Sequence, residues 1–168
     1  MQILIVRHAI AEERITFAAT GNSDDQRPLT PKGISRMHKG AQGLQRIQPE
    51  IQFLAHSPLV RAVQTADILA EYYPQALRIE FQELAPSPSP EQVLKRLTSL
   101  PSDATIALVG HEPDLSELIA WLTTGNTAGF IDLKKGAACL LETWGAPADT
   151  NAQLLWCLAP RQLRQLSQ

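Results

Sequence analysis

The chain has 168 residues, 15 basic against 17 acidic side chains (net charge −2) and 44% hydrophobic residues. That length supports one domain with a real core, residues 1–168, and the 19% charged content argues against disorder. The balanced charge supplies no general attraction for nucleic acid or an anionic membrane, and no apolar run approaches the ~18 residues of a membrane span.

Ile3 to Val6 form a continuous aliphatic run, which predicts a strand buried on both faces. A polar stretch, TGNSDDQRPL, reads as a loop, and Thr30 then caps a helix with Pro31 at its first position. Ile34, Met37, Ala41 and Leu44 recur on one face of that helix. IQFLAHS is a second strand, and SPLVRAVQTADILAEYY is a helix with Ser57 as cap. ALRIEF is a third strand, followed by the proline-rich ELAPSPSP and a helix near Glu91 to Leu97. TIALVG is a fourth strand, and Pro113 opens a helix with Leu115, Leu118, Ile119 and Leu122 as its buried stripe. Ala138–Trp144 and Gln153–Ala159 read as an antiparallel hairpin on one edge. Strands alternating with helices predict an α/β fold around a mostly parallel sheet.

Cys139 and Cys157 sit in apolar runs and read as small buried hydrophobes in a reducing compartment. The N-terminal apolar run stops at Arg7, with Glu12 and Glu13 beyond, unlike a targeting segment. A cytoplasmic location is expected. Trp121, Trp144 and Trp156 lie on apolar patterns and read as core, and Lys134-Lys135 as an exposed turn.

Polar residues recur just after the strands. Arg7-His8 follow the first, and His56-Ser57 end the second, with Arg61 one helical turn on. Glu83 follows the third and His111 the fourth. In open α/β sheets, ligands bind beyond the carboxyl ends of the strands, so these side chains share one rim. Alternation turns His56 away from its neighbours, and His38 falls on a polar helix face. Two guanidiniums match phosphate oxygens, an imidazole supplies a nucleophile or a donor, and a carboxylic acid can protonate a leaving group. That inventory suits phosphoryl transfer stabilised by side-chain cations, with no cofactor or metal expected. HExxH, CxxC, a P-loop and GxSxG are all absent from the sequence.

The segments LIVRHA, HSPLVRAVQTA, ELAP and LVGHEPDLS, in that order, resemble the histidine phosphatase superfamily. The short length, RPLTPKG and the lack of a large insertion resemble its small SixA-type branch of phosphohistidine phosphatases. The resemblance implies a phosphoglycerate mutase-like, three-layer α/β/α sandwich. It implies that His8 attacks phosphorus and becomes phosphohistidine, with Arg7, Arg61 and His111 completing the phosphate pocket. Glu83 stands where larger members carry the proton donor, and Arg27, in RPLT, where SixA-like proteins have an additional arginine.

Electrostatics is consistent with those roles. Arg7 and Arg61 would disfavour an imidazolium at His8, keeping the nucleophile neutral. Ala9 replaces the glycine usual after the Arg-His pair, which predicts an ordinary backbone there. The short segment between the third and fourth strands leaves the pocket uncovered. It would admit phosphohistidine on a partner protein, such as a phosphotransfer domain or carrier protein, with inorganic phosphate as product. Small phosphomonoesters handled by the same chemistry, or an inactive phosphate- or phosphoprotein-binding module, are the alternatives.

Overall fold

The computed structural model describes residues 1–168 except Pro88. Strand β1 (Gln2–Arg7) is followed by a short helix α1 (Arg14–Ala18), a 3-10 turn (Asp24–Gln26) and the long helix α2 (Pro31–Ile47). Then come β2 (Phe53–His56), α3 (Val60–Tyr72), β3 (Leu77–Glu80), a 3-10 turn (Gln82–Leu84) and α4 (Pro90–Leu97). The chain closes with β4 (Thr105–Gly110), α5 (Asp114–Thr124), β5 (Ala138–Thr143), β6 (Ala152–Leu158) and α6 (Pro160–Gln165).

The six strands form one sheet in the order β3-β2-β4-β1-β5-β6. β1 to β4 run parallel, whereas β5 is antiparallel to β1 and β6 to β5. The fold is therefore α/β, with a mostly parallel sheet and an antiparallel edge, and helices cover both faces.

Strand alternation sorts the aliphatic runs between two cores. Leu4 and Val6 of β1 pack with Met37, Leu44, Leu69 and Leu163 on the face of α2, α3 and α6. Ile3 and Ile5 pack with Phe81, Leu97, Leu118 and Leu141 on the face of α4 and α5. The side chains from Ile3 to Val6 have no exposure at all, as expected for a central strand. α2 crosses close to the chain just after β1: a Cβ on Gly33 would stand 2.0 Å from the Ile10 carbonyl oxygen, so only glycine fits.

Several local expectations are corrected. α1 and α6 form in stretches for which no element was expected. On α2 the buried stripe is Gly33, Met37, Gly40, Ala41, Gly43 and Leu44, while Ile34 faces outward. α3 begins at Val60 rather than at the Ser57 cap, freeing the Ser57 side chain for another partner. On the β5–β6 edge Cys157 is exposed although its cross-strand partner Cys139 is buried, and Trp144 is 67% exposed.

Candidate active site

The site is assembled where the parallel ladder runs past its strand ends. The His8 amide donates to Gly110 O (3.1 Å), the Ser57 amide to Val109 O (3.0 Å) and the Phe81 amide to His56 O (2.9 Å). Arg7 is in register with Gly110, the last residue of β4, and His111 follows directly. The Gly136 amide, on a residue with φ of +80°, reaches back to the Arg7 and His8 carbonyls (3.1 Å each). Arg7, His8 and His111 are thus held through sheet backbone.

Above them lies an open cleft of about 290 Å³, walled by Arg7, His8, Arg27, Arg61 and His111 together with Glu13, Arg14, Pro86, Glu112 and Lys135. Five of the six residues expected from the sequence meet here; Glu83 does not.

His8 is buried, and its Nδ1 lies 2.7 Å from Ala9 O. A carbonyl can only accept, so Nδ1 carries the proton and Nε2 keeps its lone pair. Ala9 has no positive φ, as an alanine requires, and its amide donates to Thr65 Oγ1 (3.0 Å). The Thr65 hydroxyl in turn donates to Arg61 O (2.7 Å). One chain of bonds therefore ties the nucleophile candidate to the first turn of α3. Burial lowers the His8 pKa to about 3, and Arg61, Arg7 and Lys135 push the same way. The ring is neutral throughout the physiological range.

His111 stands 5.1 Å from His8 between ring centroids, and its Nε2 is 2.8 Å from Ser57 Oγ. Burial, with His8 and the arginines, brings its pKa to about 3 as well. The Arg7 Nη1 donates to Leu133 O (2.6 Å), fixing that guanidinium. Arg7 Nε, Arg61 Nε and His111 Nδ1 are buried without a protein partner among the described residues. Buried orphan polar atoms are uncommon, and the unpartnered arginine donors on this cleft suit an anion, beside an equally unpartnered Glu112 Oε1.

The opposite wall hangs on one carboxylate. Asp24 accepts from Arg27 Nε (2.8 Å) and pairs with Arg61 Nη2 (3.2 Å) and Arg14 Nε (3.4 Å). Its backbone carbonyl accepts from Arg61 Nη1 (2.8 Å), and Arg27 Nη1 donates to Glu12 O (2.7 Å). Arg27 and Arg61 are nearly fully buried. The Arg27 and Arg61 guanidiniums, with Arg14, hold the Asp24 carboxyl below its usual range against the cost of its own desolvation.

Glu83 sits on the 3-10 turn after β3 with its carboxylate facing Arg96 (Oε2 to Nε 3.6 Å). It shares with His111 only a separate void of about 10 Å³. Glu83 is therefore not among the residues lining the reacting cleft here; its partner Arg96 lies 4.7 Å over the Phe81 ring. His56 points away as expected and accepts from Arg78 Nε (3.0 Å). Arg14, Lys135, Glu13 and Glu112 were not expected. Glu112, next to His111, is half-buried and desolvation raises its carboxyl pKa; its adjacency to a strand-end histidine was the available signal.

Residues 3–85 match the histidine phosphatase superfamily (branch 1). An uncharacterized protein of Picosynechococcus sp. is 37% identical over 172 residues, spanning 97% of this chain and 99% of that protein. Phosphohistidine phosphatase SixA of Escherichia coli is 27% identical over 168 residues, 98% of this chain and 97% of its own. A solved structure of the protein histidine phosphatase SixA complexed with tungstate superposes with a TM-score of 0.81 at 25% identity, covering 97% of this chain and 99% of that one. The chain belongs to the histidine phosphatase superfamily, in its SixA-type branch. A phosphatase of that superfamily is a hydrolase, and this SixA-type chain carries the superfamily's phosphoglycerate mutase-like fold. A mycobacterial glucosyl-3-phosphoglycerate phosphatase, 17% identical with a TM-score of 0.72 over 94% of this chain and 98% of that one, shares that fold. No helix among the described residues is long and apolar enough to cross a membrane.

Proposed function

We propose that the protein hydrolyses phosphohistidine on a partner protein, with His8 as the nucleophile and no metal in the reaction. The observation that carries this reading is the His8 Nδ1 contact with Ala9 O at 2.7 Å, which leaves Nε2 as a neutral, preset nucleophile beside the arginines. In the first step His8 Nε2 bonds to phosphorus as the P–N bond of the substrate breaks. The substrate imidazole departs and takes its proton from solvent. Water then attacks phospho-His8, the P–N bond to Nε2 breaks, and inorganic phosphate leaves.

Arg7, Arg61, Arg27 and His111 bind the phosphoryl oxygens, where preorganised donors are each worth ~3–4 kcal/mol in the transition state. Five cationic side chains on one cleft make a bound metal unnecessary for charge neutralisation. The position of Glu83 supports a nitrogen leaving group. An alkoxide needs an acid in the cleft, whereas imidazole protonates near neutrality from solvent. The lack of a long insertion between β3 and β4 leaves room for a protein-borne side chain.

The test is to incubate the protein with a radiolabelled phosphohistidine phosphotransfer domain and with a panel of phosphomonoesters. An acid-labile, alkali-stable adduct is expected, together with release of phosphate from the domain. His8→Ala abolishes the adduct and lowers turnover ~10³-fold or more. Turnover of small esters alone would replace the protein substrate by a small phosphate, and no turnover with any donor would leave a binding module.

A further inference from the structure

A second groove adjoins the cleft along the α2–α6 seam. It encloses about 250 Å³ and has Arg36, Lys135, Arg161 and Arg164 on its walls, with Met37, Pro160 and small residues between them and neither a carboxylate nor an aromatic ring in its lining. A neighbouring recess of about 450 Å³ continues it past Arg161 and Arg164 to Lys39. Gly40 contributes to its openness: a Cβ there would meet nothing within 4 Å.

None of these five cations belongs to an ion pair among the described residues. In the reacting cleft, by contrast, Arg14, Arg27 and Arg61 share the single carboxylate of Asp24. Like charges accumulate in the groove instead, in a molecule whose net charge is −2. Desolvation together with Arg36 and Arg161 lowers the Arg164 pKa, the electrostatic mark of cations facing one another without an acid. Concentrated positive charge in a concave site is unfavourable unless an anion relieves it.

The groove shares a wall with the reacting cleft. Lys135 lines both, and Ala9, on the groove wall, directly follows His8. We propose that this groove docks an acidic segment of the partner protein flanking its phosphohistidine. The inference rests on the phosphohistidine-protein reading and gives that substrate a chemical character: aspartates or glutamates near the phosphorylated side chain. Arginine forks match carboxylates bidentately. The groove has no aromatic side chain on which the bases of a single strand could stack.

The experiment compares Arg36→Glu and Arg161→Glu with Lys95→Glu, an equal charge reversal on the exposed face of α4. Two substrates are used, an acidic phosphotransfer domain phosphorylated on histidine and free N-phosphoimidazole. Both groove positions are exposed, so the variants fold. For the domain, kcat/KM falls about tenfold in either groove variant, mainly through KM, and the loss shrinks as salt rises from about 0.05 to about 0.3 M. For N-phosphoimidazole it stays within about twofold, as it does for Lys95→Glu on both substrates. An undiminished rate on the domain, or an equal loss on both substrates, overturns the docking groove while leaving the phosphohistidine reading intact. A wild-type protein that hydrolyses N-phosphoimidazole but not the domain overturns both.

Discussion

The floor and the wall of the cleft are built by different means. On the floor, Arg7, His8 and His111 sit at the ends of β1 and β4, where ladder bonds and the Ala9–Thr65–Arg61 chain fix them. On the wall, Arg14, Arg27 and Arg61 come from three separate segments and meet at a single, 40% exposed carboxylate. A floor made of sheet backbone is rigid but stores the cost of burying two unprotonated imidazoles. A wall made of ion pairs carries the desolvation of Arg27 and Arg61 instead, and depends on one carboxylate.

The cost on the floor has a pH signature. His8 and His111 have folded pKa values of about 3, below the ~6.5 of an unfolded histidine. Between those values the unfolded chain binds more protons, so stability is full above pH 6.5 and declines as pH falls toward 3. At pH 5 each histidine contributes about 2 kcal/mol of destabilisation, a change of roughly 30-fold in the folding equilibrium. Urea melts at pH 7 and pH 5 measure it, with His8→Asn and His111→Asn each removing part of the difference. A wild-type pH dependence no steeper than that of the double variant would mean that the floor carries no such cost.

The contrast between floor and wall also separates what was legible in the sequence from what was not. Ile3 to Val6 and the TIALVG run specify buried parallel strands, and whatever follows such strands must emerge on one rim. Arg7, His8 and His111 were therefore readable from local pattern. Arg61 was readable because a helix returns from the same rim, and Arg27 through the family resemblance. Arg14 and Lys135 were not, because loops and a five-residue helix place them by tertiary packing that no periodicity encodes. The same holds for Arg36, Arg161 and Arg164, which share a groove only because a Cβ-free Gly43 lets α2 approach the Leu163 backbone of α6. Glu83 was placed by its position after β3, but the direction of its carboxylate toward Arg96 is a tertiary contact that no local pattern encodes.

Asp24→Asn tests the wall. It removes the charge that aligns Arg14, Arg27 and Arg61, while the Asp24 backbone carbonyl still accepts from Arg61 Nη1. Two effects oppose each other. Losing a negative charge near a phosphate site strengthens anion attraction, but exposed charges are screened and worth little. Misaligned donors cost more, since small displacements of transition-state contacts reduce rate steeply. We expect kcat to fall about tenfold with KM changed by less than about threefold. A fall in KM with kcat unchanged would show that Asp24 merely weakens anion binding.

Glu83→Gln carries the smallest expected effect and asks whether the cleft has a second wall. Were Glu83 the proton donor, its amide would lower kcat by ~10²-fold or more on an ester with a poor leaving group. The carboxylate instead faces Arg96 and adjoins a void too small for a substrate. The Glu83–Arg96 pair is part-exposed, so its loss costs little stability. Turnover of a phosphohistidine protein should stay within about twofold, because imidazole leaves without enzymic protonation. The ratio of rates on a phosphomonoester with an alkoxide leaving group and on the phosphohistidine protein is the sharper readout. If Glu83→Gln leaves that ratio unchanged, the cleft acts through its floor and its Asp24-bound wall alone. If the ester rate alone collapses, the turn after β3 swings Glu83 into the cleft when an ester binds, and the wall has a mobile third member.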